Sequence, residues 1–230
     1  DGVKNPASIT AIDISTTARS KVASYGAVYF PWIEVNDPTT AGARILVPPS
    51  GHIAGIYARS DAERGVHKAP ANEVVMGALG LERRISKAQQ DGLNPEGINV
   101  IREFNGALKV WGGRTRADEA TAEYRYISTR RYMNYLRESM DDGTQWVVFE
   151  PNAPSLWQRI TRTLTDFLTN EWRSGALFGE TPKQAFFVRC DAETNPAAVR
   201  ELGQVVTEIG VAIVKPAEFV IFRIQQQTGG

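Results

Sequence analysis

The sequence has one cysteine, Cys190, which excludes an internal disulfide and any cysteine-based metal cluster. It has two histidines, His52 and His67, and both fall in one short stretch. It has no excess of either charge. The 26 basic side chains balance 26 acidic ones, so only local basic faces could favour an acidic partner. No apolar run approaches the roughly 20 residues that a membrane-spanning helix needs. The start lacks the basic and then apolar pattern of a signal peptide. Three chemical signatures are missing as well: the phosphate-cradling G-x-x-x-x-G-K-[ST], the dinucleotide G-x-G-x-x-G, and the nucleophile elbow G-x-S-x-G.

What is present suits a globular fold. Of 230 residues, 42% are hydrophobic, enough for one large domain or two small ones. The chain opens on Asp1 rather than methionine, so a fragment or processed product is expected. Residues 1–21 are polar and β-branched and read as an arm or linker. SYGAVYFPWIEV (24–35) reads as a strand interrupted or ended at Pro31. After the turn cluster NDPTTAG, RILV gives a short strand. SKAQQDGLNPEG (86–97) suits a short helix. INVIREF-NG-ALKVWG (98–112) is a hairpin, because Asn-Gly suits a type I′ turn.

A helix is expected over 117–140, with Thr129, Met133, Leu136 and Met140 on one face, followed by a buried strand QWVVF (145–149). A second helix over 155–174 carries the apolar stripe Leu156, Ile160, Leu164, Phe167, Leu168 and Trp172. Arg159, Arg162, Asp166, Thr169 and Arg173 lie opposite. AFFVRC (185–190) is a strand, and NPAAVRELGQ starts a short helix. GQVVTEIGVAIV and EFVIFRI read as two closing antiparallel strands joined by KPAE. Helices and strands mix without βαβ alternation, so the class is α+β: a mixed sheet flanked by helices, with extended terminal arms.

The densest polar stretch is 48–72, PPSGHIAGIYARSDAERGVHKAPAN. A soluble hydrolase would use Ser50, His52 and Asp61 there, but no elbow surrounds the serine. A metal site would need His52, His67, Asp61 and Glu63 to converge, at a spacing that matches no ligand motif. Residues 50–65 have the length of a short helix. Gly51, Ala54, Gly55 and Ala58 in it permit close approach of another backbone. As a whole the stretch reads as an architectural loop, with Pro48, Pro49 and Gly51 fixing its course and Arg59, Asp61 and Arg64 available to pair. Cys190 ends an apolar strand as a small buried hydrophobe. The arginines of the two helices, Arg130, Arg131 and Arg137 on the first and Arg159, Arg162 and Arg173 on the second, are dense for a neutral protein. Such strips dock acidic surfaces.

The stretch VPPSGHIAGIYARSDAERGVHKAPAN also resembles the signature of contractile tail sheath proteins, found in contractile-tailed bacteriophages, R-type bacteriocins and extracellular injection systems. Further blocks are similar to the same family in the same order: LNPEGIN, KVWGGRT, ISTRRYMNYLRESMDDGTQWVVFEPN, the helix running into GALFG, AFFVRCD and GVAIVKPAEFVIFRI. Together they span about residues 24–226. The chain departs at His67, where the family often has tryptophan. Family members are also longer, so the resemblance implies a conserved C-terminal part, with 22–230 as the sheath domain and 218–230 as its strand and tail.

The resemblance implies a structural, non-catalytic subunit without cofactor. Copies would polymerise helically around an inner tube and contract to drive it through a target envelope. The implied partners are other copies, the inner tube protein, and baseplate and terminator proteins. Direct contact with nucleic acid and membrane insertion are not implied. The setting would be a virion tail or extracellular particle assembled in the bacterial cytoplasm. The family's arms add strands to neighbouring sheets, which points to Phe219, Val220, Ile221, Phe222, Arg223 and Ile224 as an inter-subunit strand. A family helix docks on the tube through charge, which points to Arg159, Arg162 and Arg173.

Overall fold

A computed structural model describes residues 23–220. The arm at 1–21, and Ile221, Phe222, Arg223 and Ile224 of the closing strand, lie outside the described residues. Pro31 does interrupt the first β-rich run. It yields β1 (Val28–Phe30) and β2 (Ile33–Asn36), which join different sheets. β3 (Arg44–Val47) returns antiparallel to β2, and β5 (Gly80–Leu81) covers β2's other edge. The main sheet has the order β1-β6-β7-β4, with β4 at Glu73–Val74, β6 at Ile98–Phe104 and β7 at Ala107–Trp111.

The β6–β7 hairpin turns on Asn105 (φ 49°) and Gly106 (φ 80°), the two left-handed positions that a type I′ turn requires. β6 runs parallel to β1, and its first four residues are all buried, as in a strand covered on both faces.

Most of the stretch 48–72 is helix rather than loop: α1 spans Ser50–Arg64. Its inward positions are Ile53, Ile56 and Ser60, so two isoleucines and a serine are all the core-facing signal that the sequence carries there. Gly51, Ala54, Gly55 and Ala58 are exposed, and a Cβ added at either glycine would meet nothing within 4 Å. Among the described residues, no other backbone uses the close approach that these small residues permit.

α2 (Lys87–Leu93) starts in a capping box between Ser86 and Gln89. The helix expected from 117 begins later. Asp118 caps a 3-10 turn over Glu119–Tyr124, and α3 follows at Ile127–Thr144. Thr129 and Leu136 are buried and Met133 and Met140 partly so, as the spacing predicts. α4 (Pro154–Arg173) follows the prediction closely, with proline in its first turn. α5 (Pro182–Ala185), β8 (Phe186–Arg189), α6 (Ala197–Glu201) and β9 (Glu208–Val211) complete the fold.

One expected strand is corrected. Gln145–Val147 is a 3-10 turn, and Val148 and Phe149 face solvent. Trp146 and Val147 pack on the α4 core, which uses the apolar content of the run without a sheet. Further on, β9 pairs with β8, and of the expected closing strand EFVIFRI only Glu218, Phe219 and Val220 are described, outside any strand; the rest lies outside the described residues. Glu218 is drawn instead to a polar cluster on the first half of the chain.

The cores follow the two halves of the sequence. Tyr29, Ile33, Ile53, Ile56, Ile101 and Val110 fill one between α1 and the sheets. Tyr132, Leu136, Leu168, Leu177 and Phe186 fill another between α3, α4 and β8. α3 joins them, since its Ile127 belongs to the first and its Tyr132 to the second.

Candidate interaction surfaces

The polar groups of 48–72 are spent on holding the chain together. Arg59 donates to Glu73 and to the Val74 carbonyl, and Lys68 donates to Glu73 and to the Ala71 carbonyl. Burial raises the Glu73 carboxyl, but the hydrogen bonds and charges of Lys68 and Arg59 outweigh it and hold the group below its ordinary range. Asp61 takes both prongs of the Arg131 guanidinium at 2.7 and 2.6 Å, tying α1 to α3. Pro49 is buried at the start of α1 and its carbonyl accepts from Ile53. Gly51, Glu63 and Arg64 are exposed.

The hydrolase candidates of this stretch are not brought together. Ser50 and Asp61 lie eleven positions apart on one helix, about 16 Å along its axis. His67 sits edge-on to Tyr132, with ring centroids 6.2 Å apart, and so serves as an aromatic packing group. A cavity of about 560 Å³ opens between the β2–β5 and β4–β7 pairs, and it takes none of its lining from 48–72.

The arginines of α3 and α4 divide by role. Arg130 stacks on the rings of Tyr25 and Tyr124 and donates to Ser24, and Arg131 holds Asp61. Those two are structural. On α4 the exposed stripe runs through Arg159, Arg162, Asp166, Asn170 and Arg173, opposite the buried Leu156, Ile160, Leu164 and Leu168. Arg159 pairs with Glu150 at 3.3 Å and lies over the Trp146 ring. The expected basic face exists, with its N-terminal arginine partly neutralised by that pair.

The C-terminal root is held in a site that inspection of the sequence missed. Glu218 accepts from Arg114 Nε (2.8 Å) and Nη2 (2.6 Å), Asn94 Nδ2 (2.7 Å) and Tyr126 Oη (3.1 Å). Burial raises its carboxyl, but these four donors prevail and keep it below its ordinary range. Asn99 builds the site from beneath. Its amide accepts from the Arg114 N–H and donates to the Arg114 carbonyl, and a bridge pairs Arg114 with Tyr126. The sequence signal is a lone carboxylate within the mostly apolar closing run GVAIVKPAEFVIFRI. Phe219 and Val220, just beyond, are exposed.

β8 and β9 form a sheet of two strands among the described residues. Each therefore has a second edge without a partner strand among those residues, with Phe187 exposed on one face. Cys190 is buried beyond β8, within 3.6 Å of the Asn195 amide. Phe149 was also missed. It is fully exposed on a left-handed backbone (φ 67°), beside the Glu150–Arg159 pair.

Two family models match the chain end to end: phage tail sheath protein central domain over residues 3–116 and phage tail sheath C-terminal domain over 119–227. The chain belongs to the contractile tail sheath family. It resembles a chain of the PVC sheath complex of an extracellular contractile injection system in the contracted state. There the TM-score is 0.85 and the identity 31%, over 94% of this chain and 59% of that one. For the contracted helical sheath of the anti-feeding prophage the values are 0.82 and 37%, over 93% and 58%. The tail sheath protein of Burkholderia phage BcepMu is 26% identical over 204 residues, 85% of this chain and 41% of the relative. That of Vibrio phage KVP40 is 29% identical over 180 residues, 76% and 25%. The chain thus spans between a quarter and about three fifths of the length of these relatives.

Proposed function

We propose that this chain is the conserved part of a sheath subunit that polymerises helically with other copies around an inner tube. Contraction of the assembly then drives the tube through a target envelope. The observation that carries the proposal is the likeness, over more than nine tenths of the chain, to sheath chains of two contracted assemblies.

Physical features support the parts. A heterologous contact that does not close generates a helical array. The open edges of β8 and β9 suit strand addition by a neighbour's arm, from residues 1–21 or from the apolar segment that starts at Phe219 and Val220. Main-chain bonds of that kind persist while the packing between subunits changes. Contraction draws on energy stored at assembly, with the extended form kinetically trapped, so the subunit itself needs no catalysis. The hydrolase alternative finds its residues dispersed along α1. The exposed arginine stripe of α4 is the tube-facing surface. Its contacts are individually worth about 0–1 kcal/mol, weak enough to release in sequence. Baseplate and terminator proteins contact the two ends of the array, in a virion tail or extracellular particle assembled in the cytoplasm.

Co-expression of the full-length protein with its tube protein tests this. The two should sediment together as high-mass particles that dissociate at high salt. Full-length protein that stays apart from the tube at low salt would overturn the tube-binding part.

A further inference from the structure

Three of the blocks that carry the family resemblance are far apart in the sequence: LNPEGIN, KVWGGRT and GVAIVKPAEFVIFRI. They meet at one point in the fold. Asn94 comes from the first, Arg114 from the second and Glu218 from the third, and Tyr126 closes the group. The separations between Glu218 and its partners are 92 to 124 residues. This is not an ordinary surface ion pair. Side-chain exposures are 12% for Arg114 and 17% for Glu218, the contact is two-pronged, and each carboxylate oxygen has two donors.

The path of the chain on either side gives the cluster its meaning. Val214 still donates to the Ala176 carbonyl, and Ile213 still bridges Leu177, both in the second half. Four residues later, Glu218 is fastened to the first half. Four extended residues reach roughly 14 Å, so the segment is a short strap between two fixed points. Pro216 within it cannot donate a main-chain hydrogen bond, which discourages strand pairing there. Immediately beyond the second point Phe219 and Val220 turn their apolar side chains to solvent.

We propose that Glu218 is a positioning residue for subunit coupling: the Arg114–Asn94–Tyr126 clamp fixes where the C-terminal segment leaves the subunit, so that a neighbouring copy that takes it up as a strand receives it in one register. A strand whose root is free can pair in shifted registers, and a one-residue slip inverts every side chain. The clamp removes that freedom before the neighbour is met. This inference rests on the proposed strand exchange between copies, but the clamp itself is open to test in the isolated subunit.

The experiment uses full-length protein with Glu218→Ala, Glu218→Gln, Arg114→Lys and wild type. Hydrogen–deuterium exchange on unassembled subunits reads the clamp, and negative-stain sheath length and yield read the coupling. The clamp predicts exchange over 214–220, read at Val214, whose N–H donates to the Ala176 carbonyl, faster by roughly 10- to 100-fold in Glu218→Ala, the range for losing charge-assisted hydrogen bonds. Amides of α3 and β6 should keep their protection. Glu218→Gln and Arg114→Lys should fall between, because Gln keeps the shape without the charge and Lys keeps the charge without the planar fork. Sheath yield should fall in the same order as exchange rises. Unchanged exchange over 214–220 overturns the clamp. Faster exchange with wild-type sheath length and yield overturns the positioning role. If Glu218→Ala loses protection throughout, Glu218→Gln and Arg114→Lys decide between the same outcomes. A wild-type protein that forms no helical sheath defeats the functional proposal, and with it the positioning role, whatever the exchange shows.

Discussion

Asn99 shows how one side chain can organise a neighbourhood. It is fully buried, and its amide serves the Val28 carbonyl and both main-chain groups of Arg114. Asn99→Ala would leave those groups without partners, at a cost of about 3 kcal/mol or more. The check is the urea midpoint of the full-length protein, which should fall markedly at an unchanged slope. Glu73 gives a pH dependence. Its folded-state pKa lies below the ordinary 4.5, so its stabilisation is complete above that value and is lost as pH falls through the lower folded value. Glu73→Gln should therefore melt lower than wild type at pH 7, and the two curves should converge at acid pH. A constant gap across a melting series from pH 7 to pH 3 would contradict the assignment. Phe149 carries a left-handed backbone with no burial in return. Phe149→Asn should raise the stability of the unassembled subunit by about 1 kcal/mol, read as a higher melting temperature. None of these three roles could be read from residue type alone. Each depends on contacts made between separate segments of the fold or on a backbone angle.

Legibility improves for elements with a strong period. α4 was readable because Leu156, Ile160, Leu164 and Leu168 repeat every fourth position and Pro154 opens the helix. The β6–β7 hairpin was readable because Asn105-Gly106 satisfies a local steric demand. α1 was half hidden, since glycines and charges cover most of its surface and only Ile53 and Ile56 mark its inner side. The run QWVVF has the apolar content of a strand, but two of its residues pack on α4 and two project outward, a division that composition does not reveal. The candidate surfaces divide in the same way. The α4 arginine face was visible from spacing, but the Glu218 clamp required the fold. For that face, reversing Arg159, Arg162 and Arg173 to Glu should abolish co-sedimentation with the tube at low salt and leave subunit melting within a degree or two. The three are exposed, and surface charges contribute little to stability. Retained tube binding with the same salt sensitivity would remove α4 as the tube-facing element. Leu168→Ala, by contrast, empties a fully buried position between α3 and α4 and should cost about 2–5 kcal/mol, measured by denaturant unfolding.

At the scale of the whole molecule, the two cores are joined by side-chain ties as well as by α3. Asp61 to Arg131 links α1 with α3, and Glu218 to Arg114 returns the end of the chain to the first half. These ties favour a subunit that keeps its internal arrangement while its contacts with neighbours are exchanged. That suits an array in which main-chain strand exchange keeps copies connected as weaker charge contacts release. The central claim is helical polymerisation followed by contraction, and the most direct measurement is negative-stain electron microscopy of the full-length protein expressed with its tube, before and after a contraction trigger such as acid or denaturant. The account predicts long striated particles that become shorter and wider and lose their grip on the tube. Discrete monomers or closed rings in every condition, with no extended array, would contradict it.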